Sequence, residues 1–155
     1  KLYTQFIRCH LGFAIPAWSL WTAADIEILE KVQRRAVNLI SGLKGVNYEE
    51  KLAELGILSL EKRRKRFDII QTYKILSGID QVDSNIWFRT VGTEAQRLTR
   101  TTAYSKNLIP SRSRTEMRQN FFSNRVINTW NRLPTEVKEA RTLNSFKRLL
   151  DMSDF

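Results

Sequence analysis

The stretch SLEKRRKRFDIIQTYKILSG, Ser59–Gly78, predicts one helix whose two halves differ. A serine that favours an N-cap begins it, and a glycine that suits the position after a helix ends it. Residues 62–66 are all basic and point in every direction around the helix axis. The second half is apolar except for a sector with Asp68 and Thr72, so we expect this half to be buried and that sector to be its polar side.

The basic run, Lys62–Arg66, lies at the end of the helix where the macrodipole disfavours cations, by about 0.3–1 kcal/mol each. The adjacent charges also repel one another. Two kinds of anion could offset them: the nearby carboxylates of Glu49, Glu50 and Glu54, or the phosphates of a nucleic acid. The sequence leaves both open, together with a simple solvated helix face.

The charge is strongly basic and unevenly distributed. The chain has 155 residues, with 26 Lys and Arg against 16 Asp and Glu, so its net charge is +10. Residues 1–58 carry 7 basic and 6 acidic side chains, whereas residues 59–155 carry 19 and 10. Such an excess suggests a nucleic-acid partner, or less often an anionic membrane. We therefore expect the partner surface mainly in the later part.

Helical periodicity dominates the first 80 residues. It predicts helices at Lys1–Trp18, Ala23–Ser41 and Tyr48–Leu55, with Thr22 capping the second and Asn47 capping the third in a capping box with Glu50. On the second helix, Glu27–Lys31 and Glu30–Arg34 form favourable i,i+4 pairs. The predicted core stripe of that helix consists of Ile26, Leu29, Val32, Ala36, Ile40 and Leu43.

The pattern weakens after Gly78 and then returns. One short helical turn is predicted near residues 82–88, and one or two short strands within Arg97–Thr115. Further helices are predicted before Pro134 and at about Thr142–Met152. The predicted fold is mainly α: an N-terminal helical bundle of residues 1–80, followed by a small α+β part, residues 81–155, with one short hairpin or strand pair.

No residue pattern predicts an enzyme. Cys9 and His10 are the only Cys and His, and adjacent helical side chains diverge by about 100°, so we expect structural roles for both. No zinc-ligand set and no glycine-rich phosphate loop is present. We therefore predict no catalytic residue, metal or cofactor. With no signal peptide and no apolar run that could span a bilayer, we expect an intracellular protein.

Three basic features could contact phosphates, and each also has a purely structural explanation. They are the basic run, the Arg-rich segment Arg97–Arg114, and a set of three later arginines. The structural explanations are a solvated helix face that pairs partly with the three nearby carboxylates and with Glu61, a mobile polar loop, and arginines that border a buried face. A line of Arg118, Arg125 and Arg132 at seven-residue spacing, beside Phe121, could instead follow a strand and stack a base. The candidate residues are Lys62, Arg63, Lys65, Arg66, Arg100, Arg112, Arg114, Arg118, Phe121, Arg125 and Arg132.

Four segments in the same order resemble one family. They are LYTQFIRCHLGFAIPAW, LEKVQRRA, LEKRRKRFDIIQTYKIL and SRSRTEMRQNFFSNRVINTWNRLP. Together they resemble the region after the palm in LINE-type, non-long-terminal-repeat retrotransposon reverse transcriptases, especially jockey-like elements. The chain begins at Lys1 inside a predicted helix, so we expect it to be a piece of a longer polypeptide.

The resemblance implies a thumb and C-terminal region that holds template RNA and the primer duplex. The implied partners are RNA, an RNA–DNA or DNA duplex, and an upstream palm domain that carries the catalysis, and the implied location is the nucleus and cytoplasm. A helical scaffold that binds protein is the alternative. Binding to a membrane surface is a third hypothesis, disfavoured because the apolar residues of the Ser59–Gly78 helix should be buried.

Overall fold

The computed structural model describes residues 2–91 and 106–153. It divides into two compact units, Lys1–Phe67 and Asp68–Phe155. The prediction of a mainly α fold with one short strand pair is confirmed. The units divide within the Ser59–Gly78 helix, whereas the sequence analysis placed the boundary near residue 80, after that helix. Residues from Asp68 onward cluster with the second unit because the apolar half of the helix belongs to its core.

The first unit consists of short and longer helices. They are a π-helix Tyr3–Ile7, a 3-10 helix His10–Gly12, α1 Ile15–Trp18, α2 Ala23–Asn38, a 3-10 helix Ser41–Leu43, α3 Tyr48–Glu54 and the first half of α4 Leu60–Leu76. The prediction of one helix over Lys1–Trp18 is wrong. Ala14 has φ +50°, a left-handed conformation that interrupts the helix. A new helix, α1, then begins at Ile15 with Pro16 in its first turn.

The buried face of α2 also differs from the prediction. Thr22 caps the helix as predicted, because its hydroxyl accepts a hydrogen bond from the Asp25 N–H. The buried residues of α2, however, are Glu30, Gln33 and Val37. Of the predicted stripe only Leu43, which lies beyond the end of α2, is buried, and the other five residues are partly buried or exposed. Hydrogen bonds select this face, because both polar side chains find partners in the unit. The predicted i,i+4 ion pairs do not form, and Glu27 pairs with Arg34 instead.

Glycines and one serine set the ends of α3 and α4. Gly56 has φ +62° and Gly78 has φ +68°, the left-handed conformation that ends helices. The Ser59 hydroxyl accepts a hydrogen bond from the Lys62 N–H, which confirms the predicted N-cap of α4. The predicted capping box of α3 is wrong, because the Asn47 side chain makes no capping hydrogen bond.

The second unit is built on an apolar core. Its elements are the rest of α4, α5 Ser84–Trp87, β1 Arg89–Thr90, β2 Leu108–Ile109, α6 Glu116–Gln119, α7 Phe122–Arg132, α8 Thr135–Lys138 and α9 Leu143–Met152. Tyr73 stacks on Phe146 with ring centroids 4.1 Å apart, and Trp130 also stacks on Phe146, with centroids 6.1 Å apart. The helices predicted before Pro134 and at Thr142–Met152 are confirmed.

The strand pair is antiparallel, with Arg89 opposite Ile109 and Thr90 opposite Leu108. β2 lies inside the predicted segment Arg97–Thr115, whereas β1 lies ahead of it. The side chain of Asn131 on α7 fixes β2, because it bonds both the N–H and the carbonyl of Leu108 at 2.8 Å. Within residues 2–91 and 106–153, none of the helices has the length and apolarity needed to cross a bilayer.

Candidate nucleic-acid interface

Two aromatic rings and an arginine form an exposed stack in the second unit. The rings of Trp87 and Phe121 are nearly parallel, at 4°, with centroids 6.2 Å apart. The Arg118 guanidinium lies over the Phe121 ring, 5.2 Å from its centroid. Trp87 is 37% exposed and Phe121 is 40% exposed. We call these three residues the stacking surface.

The stacking surface is anchored on the core of its own unit. Trp87 also meets the buried Phe122 edge-on, with centroids 6.0 Å apart. Phe121 has an extended backbone and, as the N-cap residue of α7, directly precedes the helix that carries part of the core. A small cavity of about 120 Å³ adjoins the surface and is lined by Trp87, Arg89, Ser111 and Arg118 among others. Aromatic faces, guanidinium groups and a hydroxyl therefore meet in one place.

A hydrogen-bonded asparagine holds the preceding segment beside this surface. The Asn124 amide donates to the Arg118 carbonyl at 2.7 Å and to the Ser113 hydroxyl at 3.3 Å. Arg112 and Arg114 flank Ser113 and are exposed. Because Asn124 links both segments, the two arginines lie on a stretch that is tied to the backbone of the stacking surface.

The predicted line of three arginines is wrong. Arg118 lies on α6, which ends at Gln119, so a helix break separates it from α7. Arg125 turns inward and donates to both carboxylate oxygens of Asp68, at 2.8 and 2.9 Å. This pair is largely buried, and Asp68, in the polar sector of the second half of α4, is only 6% exposed, in agreement with the predicted burial of that half. Thr72, the other member of that sector, is also buried and donates to the Asp68 carbonyl.

The predicted arginines of the later part differ in their surroundings. Arg112, Arg114, Arg118 and Arg132 are exposed, and none of the four forms an ion pair with any residue in the described part of the chain. Arg125 is a structural residue. Arg100 lies outside the described residues, as do residues 97–105 of the Arg-rich segment in general, so its predicted role stays a prediction.

The side chains of the basic run of α4 differ in their exposure and in their partners. Lys65 pairs with Glu61 at 2.8 Å, and the pKa of that carboxyl is lowered, mainly by this hydrogen bond. Lys62 is exposed, whereas Arg63 and Arg66 are half-buried and Arg64 is buried. The run therefore does not present five equivalent cations to solvent. The side chains of Lys62 and Lys65 are its most accessible members.

Of the predicted intramolecular partners of the basic run, Glu61 pairs with Lys65. Within the residues that the structure describes, the other three, Glu49, Glu50 and Glu54, make no ion pair with the run. The carboxylate that reaches the N-terminus of α4 is Glu30, which accepts hydrogen bonds from the Leu60 N–H at 3.1 and 3.3 Å. Its charge is placed where the helix dipole favours an anion. Sequence reasoning missed it because Glu30 is thirty residues from the helix it serves.

Trp87 is the site residue that sequence reasoning missed. The pattern around it predicted only a short helical turn packed on the rest of the fold. Its pairing with Phe121 joins residues 34 positions apart, which no local periodicity can indicate. In the structure the adjacent Ile86 is 78% exposed, so this turn is not simply core, but the sequence shows only another apolar residue at that position.

Comparisons with protein-family models, with curated proteins and with solved structures found no match to this chain. In the described residues, no group of three or more His, Cys, Asp or Glu side chains is placed to hold a metal ion. The Cys9 thiol is exposed and donates to the Gln5 carbonyl at 2.9 Å. The chemistry available at the candidate interface is thus that of arginines, hydroxyls and aromatic rings.

Proposed function

We propose that this chain binds nucleic acid, stacking bases on Trp87 and Phe121 and neutralising phosphates with exposed basic side chains. The observation that carries the proposal is the stacking surface itself. Aromatic rings that remain exposed beside a guanidinium offer a base a flat apolar face with a phosphate-binding group close by. Stacking accepts every base, so we expect binding with little sequence preference.

The electrostatic part of the proposal is carried by side chains that lack carboxylate partners within the described residues. They are Lys62, Arg112, Arg114, Arg118 and Arg132. If about five phosphates are neutralised, log K against log salt should have a slope of about −3.5 on a single strand and about −4.5 on a duplex. A slope close to zero would contradict this part of the proposal.

We further propose that the chain is the thumb and C-terminal region of a LINE-type reverse transcriptase, as its four segments suggest. In that role it would hold template RNA and the primer duplex beside an upstream palm domain, and would not polymerise by itself. The mainly helical fold and the excess of positive charge support this proposal. It also predicts that RNA–DNA hybrid binds at least as well as single-stranded DNA.

The decisive experiment separates stacking from charge. Binding of fluorescent single-stranded RNA, single-stranded DNA, duplex and hybrid is measured by anisotropy at two salt concentrations. Trp87→Ala and Phe121→Ala should each weaken single-strand binding by about 5- to 100-fold, at about 1–3 kcal/mol per stacked base, with an unchanged salt slope. Arg112→Gln and Arg114→Gln should instead make the slope shallower, by about 0.7 each on a single strand.

Ile86→Ala is the matched control, because this residue is next to Trp87 and more exposed but offers no ring. It should bind as the wild type does. If Trp87→Ala and Phe121→Ala also bind as the wild type does, while the variants stay folded, the stacking surface is not the interface.

A cavity in the first unit favours a second candidate, the protein-binding scaffold. It measures about 480 Å³ and has apolar walls from Ile26, Leu52 and Leu58. Four carboxylates line it, against the two cations of Arg34 and Lys62. Carboxylates repel phosphates, so a fitting occupant is a helix with one apolar and one basic face. Binding to such a peptide should survive high salt and be weakened by Leu58→Glu, without a change in nucleic-acid affinity.

A further inference from the structure

The small cavity beside the stacking surface has walls that suit an anion. It measures about 120 Å³, well above the ~10–15 Å³ that a single water needs, so it has room for a group of several atoms. Among the described residues that line it are two arginines, Arg89 and Arg118, and two serines, Ser111 and Ser123, but no carboxylate. Guanidinium and hydroxyl donors without a carboxylate favour a negatively charged occupant.

Ser123 is the buried polar residue of the described cavity wall. It is only 7% exposed, and its hydroxyl makes no hydrogen bond with any described residue. This hydroxyl is not one of the unpartnered polar atoms that are closed off from solvent, so a group in the cavity can reach it. A buried hydroxyl without a partner costs free energy, and an oxygen atom of a ligand would accept its hydrogen bond.

The N-terminus of α7 lies at the same wall, because Ser123 is the second residue of this 11-residue helix. The N-cap residue, Phe121, has no side chain that accepts a capping hydrogen bond. The N–H groups of Asn124 and Arg125 bond the Phe121 carbonyl, whereas the Ser123 N–H has no backbone acceptor among the described residues. An anion in the cavity would therefore accept from this N–H and would be favoured by the helix dipole.

The two arginines come to the cavity from different elements. Arg89 is the first residue of β1 and Arg118 is on α6, and both are exposed. Arg118 forms no ion pair with any residue in the described part of the chain. Its guanidinium lies over the Phe121 ring, and Trp87 is another residue of the cavity wall. The cavity and the stacking surface thus share two residues, so a phosphate in the cavity would lie next to a base on the rings.

We infer that this cavity binds one phosphate group, next to the base that lies on the stacking surface. Planar guanidinium groups match the oxygens of a phosphate, and the hydroxyl and N–H donors complete its hydrogen bonds. The position of the base rests on the proposed function, whereas the contacts to the phosphate do not. The groups that would hold the phosphate are the side chains of Arg89, Arg118, Ser111 and Ser123 and the N-terminus of α7.

Small probes separate the phosphate from the base. Amide chemical shifts of the wild type are followed by NMR during titration with inorganic phosphate, adenosine and adenosine 5′-monophosphate, at constant ionic strength in chloride. The Ser123 amide should shift with inorganic phosphate and with the monophosphate, but not with adenosine. The monophosphate should bind about 5- to 100-fold more tightly than inorganic phosphate, as expected for one stacked base.

Ser123→Asp and Ser123→Asn add side chains of the same size to the cavity wall, and only the aspartate brings a negative charge. Ser123→Asp should bind inorganic phosphate at least ~10-fold more weakly than Ser123→Asn, because its carboxylate repels the phosphate and competes for the arginines. Both variants are compared only where circular dichroism shows them folded. An aspartate in the first turn of a helix is itself favourable, so this variant should fold.

Arg118→Gln provides a second route that leaves the buried wall unchanged. It should weaken phosphate binding by about 10- to 100-fold, as expected for loss of a charged hydrogen-bond donor. Arg148→Gln is the matched control, because it removes the same charge from an exposed position on α9 that is not part of the described cavity wall. This control should leave phosphate binding within about twofold.

Oligonucleotides identify the source of the phosphate. A 5′-phosphorylated strand that binds more tightly than its 5′-hydroxyl form, with the difference lost in Ser123→Asp but not in Ser123→Asn, indicates a terminal phosphate. Equal weakening of both strands by Ser123→Asp relative to Ser123→Asn indicates a backbone phosphate.

The inference and the proposed function fail separately. The inference is overturned if neither inorganic phosphate nor the monophosphate shifts the Ser123 amide, or if Ser123→Asp binds them as Ser123→Asn does. Loss of single-strand affinity in Trp87→Ala would then leave the stacking surface in place without this site. If the monophosphate binds no better than inorganic phosphate, the phosphate site stands and the stacking of bases is contradicted.

Discussion

The first unit is held together by hydrogen bonds among buried polar side chains, whereas the second is held together by stacked aromatic rings. In the first, Gln33 is fully buried, accepts from the Tyr3 hydroxyl at 2.9 Å and donates to Tyr48 and to the Leu58 carbonyl at 3.1 Å. In the second, Phe146 is fully buried between other rings. Polar contacts demand specific partners, whereas apolar contacts demand only volume and shape.

The two units also treat their cations differently. The first buries arginines, among them Arg8 and Arg64, at the cost of desolvation. The second buries Arg125 in a two-fold hydrogen-bonded pair with Asp68 and, among its described candidate residues, leaves Arg112, Arg114, Arg118 and Arg132 exposed to solvent. The second unit thus exposes arginines of the kind that the first unit partly buries, as expected for a surface that meets a polyanion.

The largest predicted effect is on the aromatic core. Phe146→Ala removes a fully buried ring that stacks on both Tyr73 and Trp130, so the free energy of unfolding should fall by about 3–5 kcal/mol. Chemical denaturation followed by circular dichroism measures it. Met152→Ala on the same helix, at an exposed position, is the control and should change stability by less than about 0.5 kcal/mol. A loss of under 1 kcal/mol for Phe146→Ala would contradict the assigned core.

A smaller effect is expected from the buried ion pair. Asp68→Ala leaves the Arg125 guanidinium largely buried without its carboxylate, which should cost about 3 kcal/mol. Arg125→Gln should be destabilising too, yet the folded variant should bind nucleic acid nearly as the wild type does, because this arginine faces inward. Anisotropy below the unfolding transition tests this. A large loss of affinity in Arg125→Gln would return Arg125 to the interface.

Replacing the central polar side chain of the first unit should lower the free energy of unfolding by a still smaller amount. Gln33→Leu keeps the volume but removes the partners of the Tyr3 hydroxyl and the Leu58 carbonyl, so we expect a loss of about 2 kcal/mol. Gln5→Leu, at an exposed position, is the matched control. If Gln33→Leu stabilises the protein, the network is not what determines the buried face of α2.

The difference between the two units explains which helices and buried faces could be predicted from the sequence. Apolar periodicity located α7 and α9 and the apolar half of α4, because there the buried residues are also the apolar ones. It failed on α2, where a pattern of Ile and Leu predicted the wrong face and Gln33 is buried instead. No periodicity indicates that a polar side chain will find three partners contributed by distant segments.

The candidate site was predictable to a similar degree. Exposed Arg112, Arg114, Arg118 and Phe121 follow from charge and composition. The burial of Arg125 does not, since its partner Asp68 is 57 residues away and no local pattern joins the two.

The smallest predicted effect depends on pH and concerns Tyr48. Burial raises its pKa, and the hydrogen bond that its hydroxyl donates to Glu30 at 2.5 Å raises the pKa further. Above the ordinary value of 10.0 the unfolded chain loses this proton while the folded chain keeps it, so the folded state binds more protons and stability falls as pH rises past 10. Tyr48→Phe cannot titrate.

The variant should therefore be less stable than the wild type by about 1–2 kcal/mol at pH 8, because the Glu30 carboxylate loses a donor. That difference should be the same at pH 7 and pH 8 and should shrink as the pH rises above 10, where only the wild type is losing stability through Tyr48. Urea denaturation of both proteins at pH 7, 8, 10 and 11 measures the difference directly. A difference that stays constant through pH 11 would show that Tyr48 titrates alike in the folded and unfolded chain, and that the hydrogen-bonded network does not protect its proton.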